Sequence, residues 1–221
     1  VTLPDQFTGR LLLRGDPRYE QARTGRIFNA RCPDRFPAAV LLAEDDADVV
    51  AGVALAAERG WTVSVRSGGH SWAAWSLRDD GLLIDLGRLR DIAYEPETGI
   101  ARVRPAVQGG LELAPFLAEQ GRAFPGGHCA SVGLGGYLLQ GGQGWNGRAR
   151  GWACQSVVGL DVVTADGRLV HADASQNTDL LWAARGAGPG FPGIVTRFYL
   201  QTYEAPPVMW HDTWTFRLDD T

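Results

Sequence analysis

Two residues of this 221-residue chain combine a nucleophilic side chain with a glycine-rich frame: His70 and Cys129. His70 stands in Arg66-Ser67-Gly68-Gly69-His70-Ser71, directly after Trp61-Thr62-Val63-Ser64-Val65, which reads as a strand. Paired glycines let successive backbone N–H groups turn into one concavity suited to a pyrophosphate, and Ser67, Ser71 and Arg66 add donors. A solitary histidine is more often a capping or buried residue than a reacting one, so this motif does not decide by itself.

Cys129 stands in Phe124-Pro125-Gly126-Gly127-His128-Cys129-Ala130-Ser131-Val132-Gly133-Leu134-Gly135-Gly136, ahead of Tyr137-Leu138-Leu139-Gln140 and Gly141-Gly142-Gln143-Gly144. Small residues before a short helical segment present free N–H groups and the positive end of a helix dipole, a second place for an anion. The commonest fate of a cysteine is an inert buried thiol, the reading kept for Cys32 and Cys154, which lack such a frame. A third stretch, Asp179 to Thr196, joins a helix to a strand through a glycine-rich loop, so backbone there runs close to something.

These loops need a frame to position them. Ala39-Val40-Leu41-Leu42 reads as a strand and Asp45/Asp46 as a helix cap. A helix follows through Arg59, with Val49, Val50, Val53, Ala54 and Ala57 on one face, and with the strand after it makes a strand-helix-strand unit. Leu82 to Leu86 is a further strand, and Ile92–Glu95 with Ile100–Arg104 a hairpin. A helix is expected over Leu111–Gln120 and a hairpin turning at Asp166-Gly167 between 157–164 and 168–171. A helix over Thr178–Ala184 and a strand over Ile194–Tyr203 complete the pattern, which is α+β. Ala205-Pro206-Pro207 reads as a linker and Val208–Leu218 as one more strand, which suggests the front part of a longer protein.

Composition narrows the function. With 45% hydrophobic and 21% charged residues the chain suits a soluble globular protein of one large or two small domains. Net charge is −4, which argues against nucleic acid as a partner. All 21 basic residues are arginine, and a chain without lysine has no P-loop, no Schiff base and no Ser-Lys dyad. Three scattered cysteines give neither a zinc site nor a disulfide framework, and no apolar run approaches the ~20 residues of a membrane span. The chain opens at Val1 without a charged-then-apolar leader, which favours the cytoplasm over secretion, although the missing initiator Met is compatible with a trimmed terminus.

The order of the three glycine-rich stretches resembles the FAD-binding domain of the berberine bridge enzyme-like oxidases, in the vanillyl-alcohol oxidase superfamily, from Gly15-Asp16-Pro17-Arg18-Tyr19 to Tyr203. The resemblance implies a two-subdomain PCMH-type FAD-binding domain over residues 1–205, a small strand-helix-strand subdomain and a larger mixed one, divided near Leu86. It implies bicovalent FAD, bonded at the ring methyl to His70 and at the pyrimidine-side ring carbon to Cys129. Cofactor contacts would come from residues 66–71, Gly127, Ser131, Val132, Gly133, Gly135, Gly136, Gly141, Gly144, Ile194 and Val195. Hydride from a small-molecule alcohol, sugar or amine would reach the flavin and pass to O2, for which Gly127 and Val132 leave room. Departures occur at Tyr137, where relatives often have His, and at Gln155-Ser156, where they commonly have Asp-Asn. The resemblance implies that the family's tyrosine base lies in a later part of the chain, beyond residue 221, so no catalytic base is named.

Rival readings are weaker. Gly142-Gln143-Gly144-Trp145-Asn146-Gly147 satisfies G-x-G-x-x-G, but no amphipathic helix follows. Gly69-His70-Ser71-Trp72-Ala73 nearly matches a hydrolase nucleophile elbow, with Ala73 where the tight turn needs glycine. A flavin dehydrogenase using another acceptor, and a non-redox lyase or binding module on the same fold, stay open.

Overall fold

The computed structural model describes residues 7–208, 210 and 212–217. It is α+β, with two main sheets. The first unit contains β1 (Arg10–Leu13), α1 (Tyr19–Thr24), β2 (Ala39–Leu42), α2 (Asp46–Arg59), β3 (Val63–Arg66) and β4 (Leu82–Asp85). Its strands lie in the order β1-β2-β4-β3, parallel except for β1. Parallel strands covered on both faces read as unbroken apolar runs, and β4 is buried at all four positions. One face sets Ala39, Leu41, Leu82 and Ile84 against α2, and the other sets Val40 and Leu83 against Tyr19, Ala74 and Leu77.

The sequence starts and stops α2 locally. Asp45 accepts the Asp48 N–H at 2.8 Å, and Gly60 leaves the helix in the left-handed region. Asp45→Ala is expected to cost about 1 kcal/mol, read as a lower urea midpoint at unchanged slope. The buried stripe is Val49, Gly52, Val53 and Ala56, joined by Leu55. Ala54 and Ala57, expected on that face, are exposed: Ala54, five positions after Val49, turns to solvent, and Ala57, at the edge of the stripe, lines the cleft described below.

The second unit begins with β5 (Ile92–Glu95), β6 (Ile100–Val103), α3 (Ala114–Ala118), β7 (Arg122–Ala123), α4 (Leu134–Leu139) and α5 (Gly147–Arg150). It continues with β8 (Val157–Thr164), β9 (Leu169–Asp173), α6 (Thr178–Ala183), β10 (Gly193–Gln201) and β11 (Tyr203–Glu204). An antiparallel sheet in the order β5-β6-β10-β8-β9 buries Val103, Leu160, Val162, Phe198 and Leu200 against Leu117, Leu134, Leu138 and Leu181. Val163 and Ile194 from this sheet join the core beneath α2. Arg104 fastens the same junction, donating to the Thr196 carbonyl at 3.0 Å and pairing with Asp46 at the start of α2.

Three expectations change. The helix expected over Leu111–Gln120 is a wide turn through Gly109–Leu113 followed by the five residues of α3. Pro115 has no N–H for a helical ladder, and the Glu112 carboxylate holds the turn by accepting the Gln108 N–H at 2.6 Å and two bonds from Arg90. The strand expected over Ile194–Tyr203 breaks at Thr202, whose N–H and hydroxyl both donate to the Gly99 carbonyl. Tyr203–Glu204 then pairs with β7. The described residues of 208–217 pair with no strand and form none; Met209, His211 and Leu218, also part of the expected strand, lie outside the described residues. β1 and α1 were not legible, being four and six residues long without a clear apolar period.

Candidate functional site

The loop after β3 is held from below by a buried carboxylate. Asp85, at the end of β4, accepts from the Arg66 Nε at 2.7 Å, from the Gly87 N–H at 2.7 Å and from Arg26. Arg26 also donates to the Ser67 carbonyl, and Arg66 to the carbonyls of Arg23 (2.5 Å) and Ala22. The Arg66 side chain is 1% exposed. Arg66 therefore corrects an expectation: it borders the cleft described below, but its guanidinium is consumed by the fold and is no donor to a ligand.

Above this base the backbone is open. Gly69 has φ +75°, and the Phe28 N–H donates to its carbonyl at 3.0 Å. Among the described residues the N–H groups of Gly68, Gly69, His70 and Ser71 have no acceptor, which makes a run of donors able to hold an anion. Gly68 touches the second loop. A Cβ on it would lie 2.5 Å from the Gly133 nitrogen, and one on Gly133 would lie 2.6 Å from the Gly68 Cα.

The cysteine loop is fixed by backbone pairing. Gly109 donates to Val132 O and Gly110 to Ala130 O, both at 3.0 Å, and the Val132 N–H closes a turn onto Cys129 O at 3.2 Å. The Leu134 and Gly135 N–H groups are taken by Val107 O (2.9 Å) and Pro105 O (2.8 Å). The start of α4 is thus a poorer anion site than the sequence suggested, because two of its donors already have partners. Tyr137, a departure from the family pattern, donates its hydroxyl to Pro125 O at 2.7 Å, and burial pushes its pKa up to about 12. It serves as a neutral brace behind the loop.

Both loops face one cleft of about 1120 Å³. Of the residues singled out in the sequence, Arg66, Ser67, Gly68, Gly69, His70, Ser71, Cys129, Val132, Gly133, Gly135, Gly136, Ile194 and Val195 line it. Gly127, Ser131, Gly141 and Gly144 do not. Gly127 and Gly144 back the cysteine loop, against the Tyr137 ring and the Pro125 backbone, and Gly141 packs near Trp152. Ser131 sits between the two nucleophiles: its Oγ is 3.0 Å from His70 Nε2 and 3.8 Å from the Cys129 thiol. Burial lowers the His70 pKa, keeping the imidazole neutral, and Cys129 is exposed. A neutral imidazole and an accessible thiol are both able to attack an electrophile in the cleft.

Phe28 was missed. Its ring stacks on His70 with centroids 4.3 Å apart, and Phe28 and Trp72 both line the cleft. Phe28 lies 42 positions before His70 and nothing local marks it. Cys154 is buried as expected, whereas Cys32 is exposed; its sulfur lies at the surface 3.8 Å from the Arg23 guanidinium. The hydrolase elbow fails on geometry, since Ser71 opens a turn that accepts the Trp75 N–H at 3.3 Å and no helix follows. Gly142 to Gly147 leads only into the single turn of α5, so the dinucleotide fingerprint fails too.

A family model described as an FAD binding domain matches residues 37–173. The FAD-linked oxidoreductase nodO of Hypoxylon pulicicidum is 48% identical over 190 residues, 86% of this chain and 42% of the relative. The structure of BBE-like 1 from Physcomitrella patens is 32% identical with a TM-score of 0.82, over 89% of this chain and 42% of that one. A structure of glucooligosaccharide oxidase from Acremonium strictum, described as carrying a 6-S-cysteinyl, 8α-N1-histidyl FAD, is 31% identical with a TM-score of 0.81, over 90% and 41%. The chain spans about four tenths of the length of these relatives.

Proposed function

Because the chain belongs to the family of FAD binding domains, we propose that it is the flavin-holding part of an FAD-dependent oxidase that bonds its cofactor at both His70 and Cys129. The observation that carries this reading is the convergence of His70 and Cys129 on one cleft, each in contact with Ser131. The fit to the cofactor rests on the open N–H groups of residues 68–71 for the pyrophosphate, and on Gly68 and Gly133, which touch where side chains would fill the cradle. Likeness to an oxidase with a cysteinyl and histidyl FAD supports the double attachment. The flavin domain would extend over residues 1–205, with 206–221 leading toward a substrate-binding part.

Bound FAD supplies two-electron redox chemistry, accepting hydride from substrate and passing electrons to an acceptor. The protein's part is placement. Two bonds would fix the ring beside Val132, Ile194 and Val195, which line the cleft with apolar surface. The Asp85 base would hold the phosphate loop rigid during turnover. Val132, three residues after the cysteine and lining the cleft, would leave room for O2 as the acceptor. The substrate would be a small molecule bearing an alcohol, sugar hydroxyl or amine, and likeness to a glucooligosaccharide oxidase puts sugars first in a screen.

The test is the visible spectrum of the purified full-length protein before and after acid precipitation, with intact mass for wild type, His70→Ala, Cys129→Ala and the double variant. Yellow colour staying with the pellet, and one FAD of added mass that survives each single change but not both, is the expected result. Colour released into the acid supernatant of the wild type would reduce the claim to a non-covalent flavoprotein. Colourless protein that takes up no added FAD would sink it.

A further inference from the structure

Ser131 stands between the two nucleophiles, and its contacts bear on which nitrogen of His70 reacts. We infer that Ser131 is a positioning residue for flavin attachment: its hydroxyl oxygen accepts the His70 Nε2 proton, leaving the Nδ1 lone pair free to form the bond. The inference rests on the bicovalent reading above and adds the tautomer and the group that sets it.

Nε2 lies 3.0 Å from Ser131 Oγ, and the Cys129 sulfur 3.8 Å from that oxygen offers the hydroxyl proton an acceptor, which leaves the oxygen to accept from Nε2. Phe28 stacks on the ring at 4.3 Å with an interplanar angle of 21°, so the imidazole is held in plane as well as in tautomer. Ser131 is itself fixed, because the turn from Cys129 to Val132 is closed by a 3.2 Å backbone bond and tied to Gly109 and Gly110. Had the proton resided on Nδ1, the basic nitrogen would point at Ser131 and the wrong atom would be nucleophilic.

A bond forms between Nδ1 and the flavin ring-methyl carbon, while one C–H bond of that methyl and the Nε2–H bond break. Two electrons pass onto the flavin and then to dioxygen, which takes up the two protons through solvent and becomes hydrogen peroxide. Ser131 receives the Nε2–H hydrogen bond and gives that proton its exit.

The experiment uses full-length protein carrying Cys129→Ala, so that only the histidine bond can form, with Ser131→Thr and Ser131→Val compared in that background. Threonine and valine match in shape and differ in the hydroxyl. Each protein is prepared free of flavin, mixed with FAD in air, and sampled for acid-stable mass gain, with reversible FAD binding followed separately by flavin fluorescence. Attachment within threefold of the Ser131 parent for threonine, at least tenfold slower for valine, with reversible binding unchanged within threefold, is expected. Valine attaching as fast as threonine overturns the assignment, as does valine losing reversible binding, which would make Ser131 structural. A Ser131 parent that binds FAD but never gains mass overturns the covalent reading itself and this inference with it.

Discussion

Gly69→Ala is expected to remove tight flavin binding while leaving most of the fold in place. Gly69 has φ +75°, where an L side chain costs about 1 to 2 kcal/mol, and a methyl group there would drive into the Arg26 carbonyl. That carbonyl cannot retreat cheaply, because the Ile27 N–H is bonded to Thr24 O at 2.9 Å and the Phe28 N–H to Gly69 O at 3.0 Å. The loop must move, and with it the donors of residues 68–71. Strain and overlap together should amount to about 3 kcal/mol or more, a loss of at least about a hundredfold in affinity if taken from binding. Fluorescence titration with FAD in the His70→Ala, Cys129→Ala background, where binding is reversible, checks this. Gly147→Ala, whose added methyl meets nothing within 4 Å, is the control and should bind as the parent does. Equal affinities for the two alanine variants would show that the pyrophosphate does not use this loop.

Asp85→Ala should be among the most destabilising single changes in the chain, by about 3 to 5 kcal/mol, because it leaves the Arg66 guanidinium buried without its counter-charge. Arg26 loses its partner as well, and the Gly87 N–H its acceptor. The measurement is the urea midpoint of full-length protein. In the double variant Arg66→Met, Asp85→Ala the buried charge is gone, and at least half of the lost stability should return. If the double variant is as unstable as the sum of its two single changes, the pair is not the unit argued here and the loop is held by something else.

Much of the site was legible because glycine clusters around a nucleophile are a local signal. Arg66 to Ser71 and Gly126 to Gly136 could be marked as two loops that receive something, and the order of such stretches was specific enough to suggest the family that the FAD-binding-domain match to residues 37–173 supports. Elements with a strong period or a cap were legible too. α2 has its Asp45 cap and its valines, and the hairpins announce themselves by Gly99 and Gly167 at their turns, both at positive φ. What failed was judged by type without geometry. Arg66 looked like a phosphate donor because arginine often is one, yet a neighbour 19 positions away, Asp85, claims it. Leu134 and Gly135 looked like free helix-start donors until Val107 and Pro105 proved to take them.

Sequence by itself determined the local facts: which segments turn, which alternate or repeat to bury one side, and which two side chains could attack an electrophile. Tertiary structure decided which of those groups share a space and which are already spent. His70 and Cys129 are 59 positions apart in the chain, and their loops meet where Gly68 touches Gly133 and His70 reaches Ser131. Phe28 reaches His70, and Ser131 bridges both nucleophiles, for the same reason. Packing between distant segments is fixed by shape and by long-range hydrogen bonds, and neither leaves a mark in the spacing of one motif.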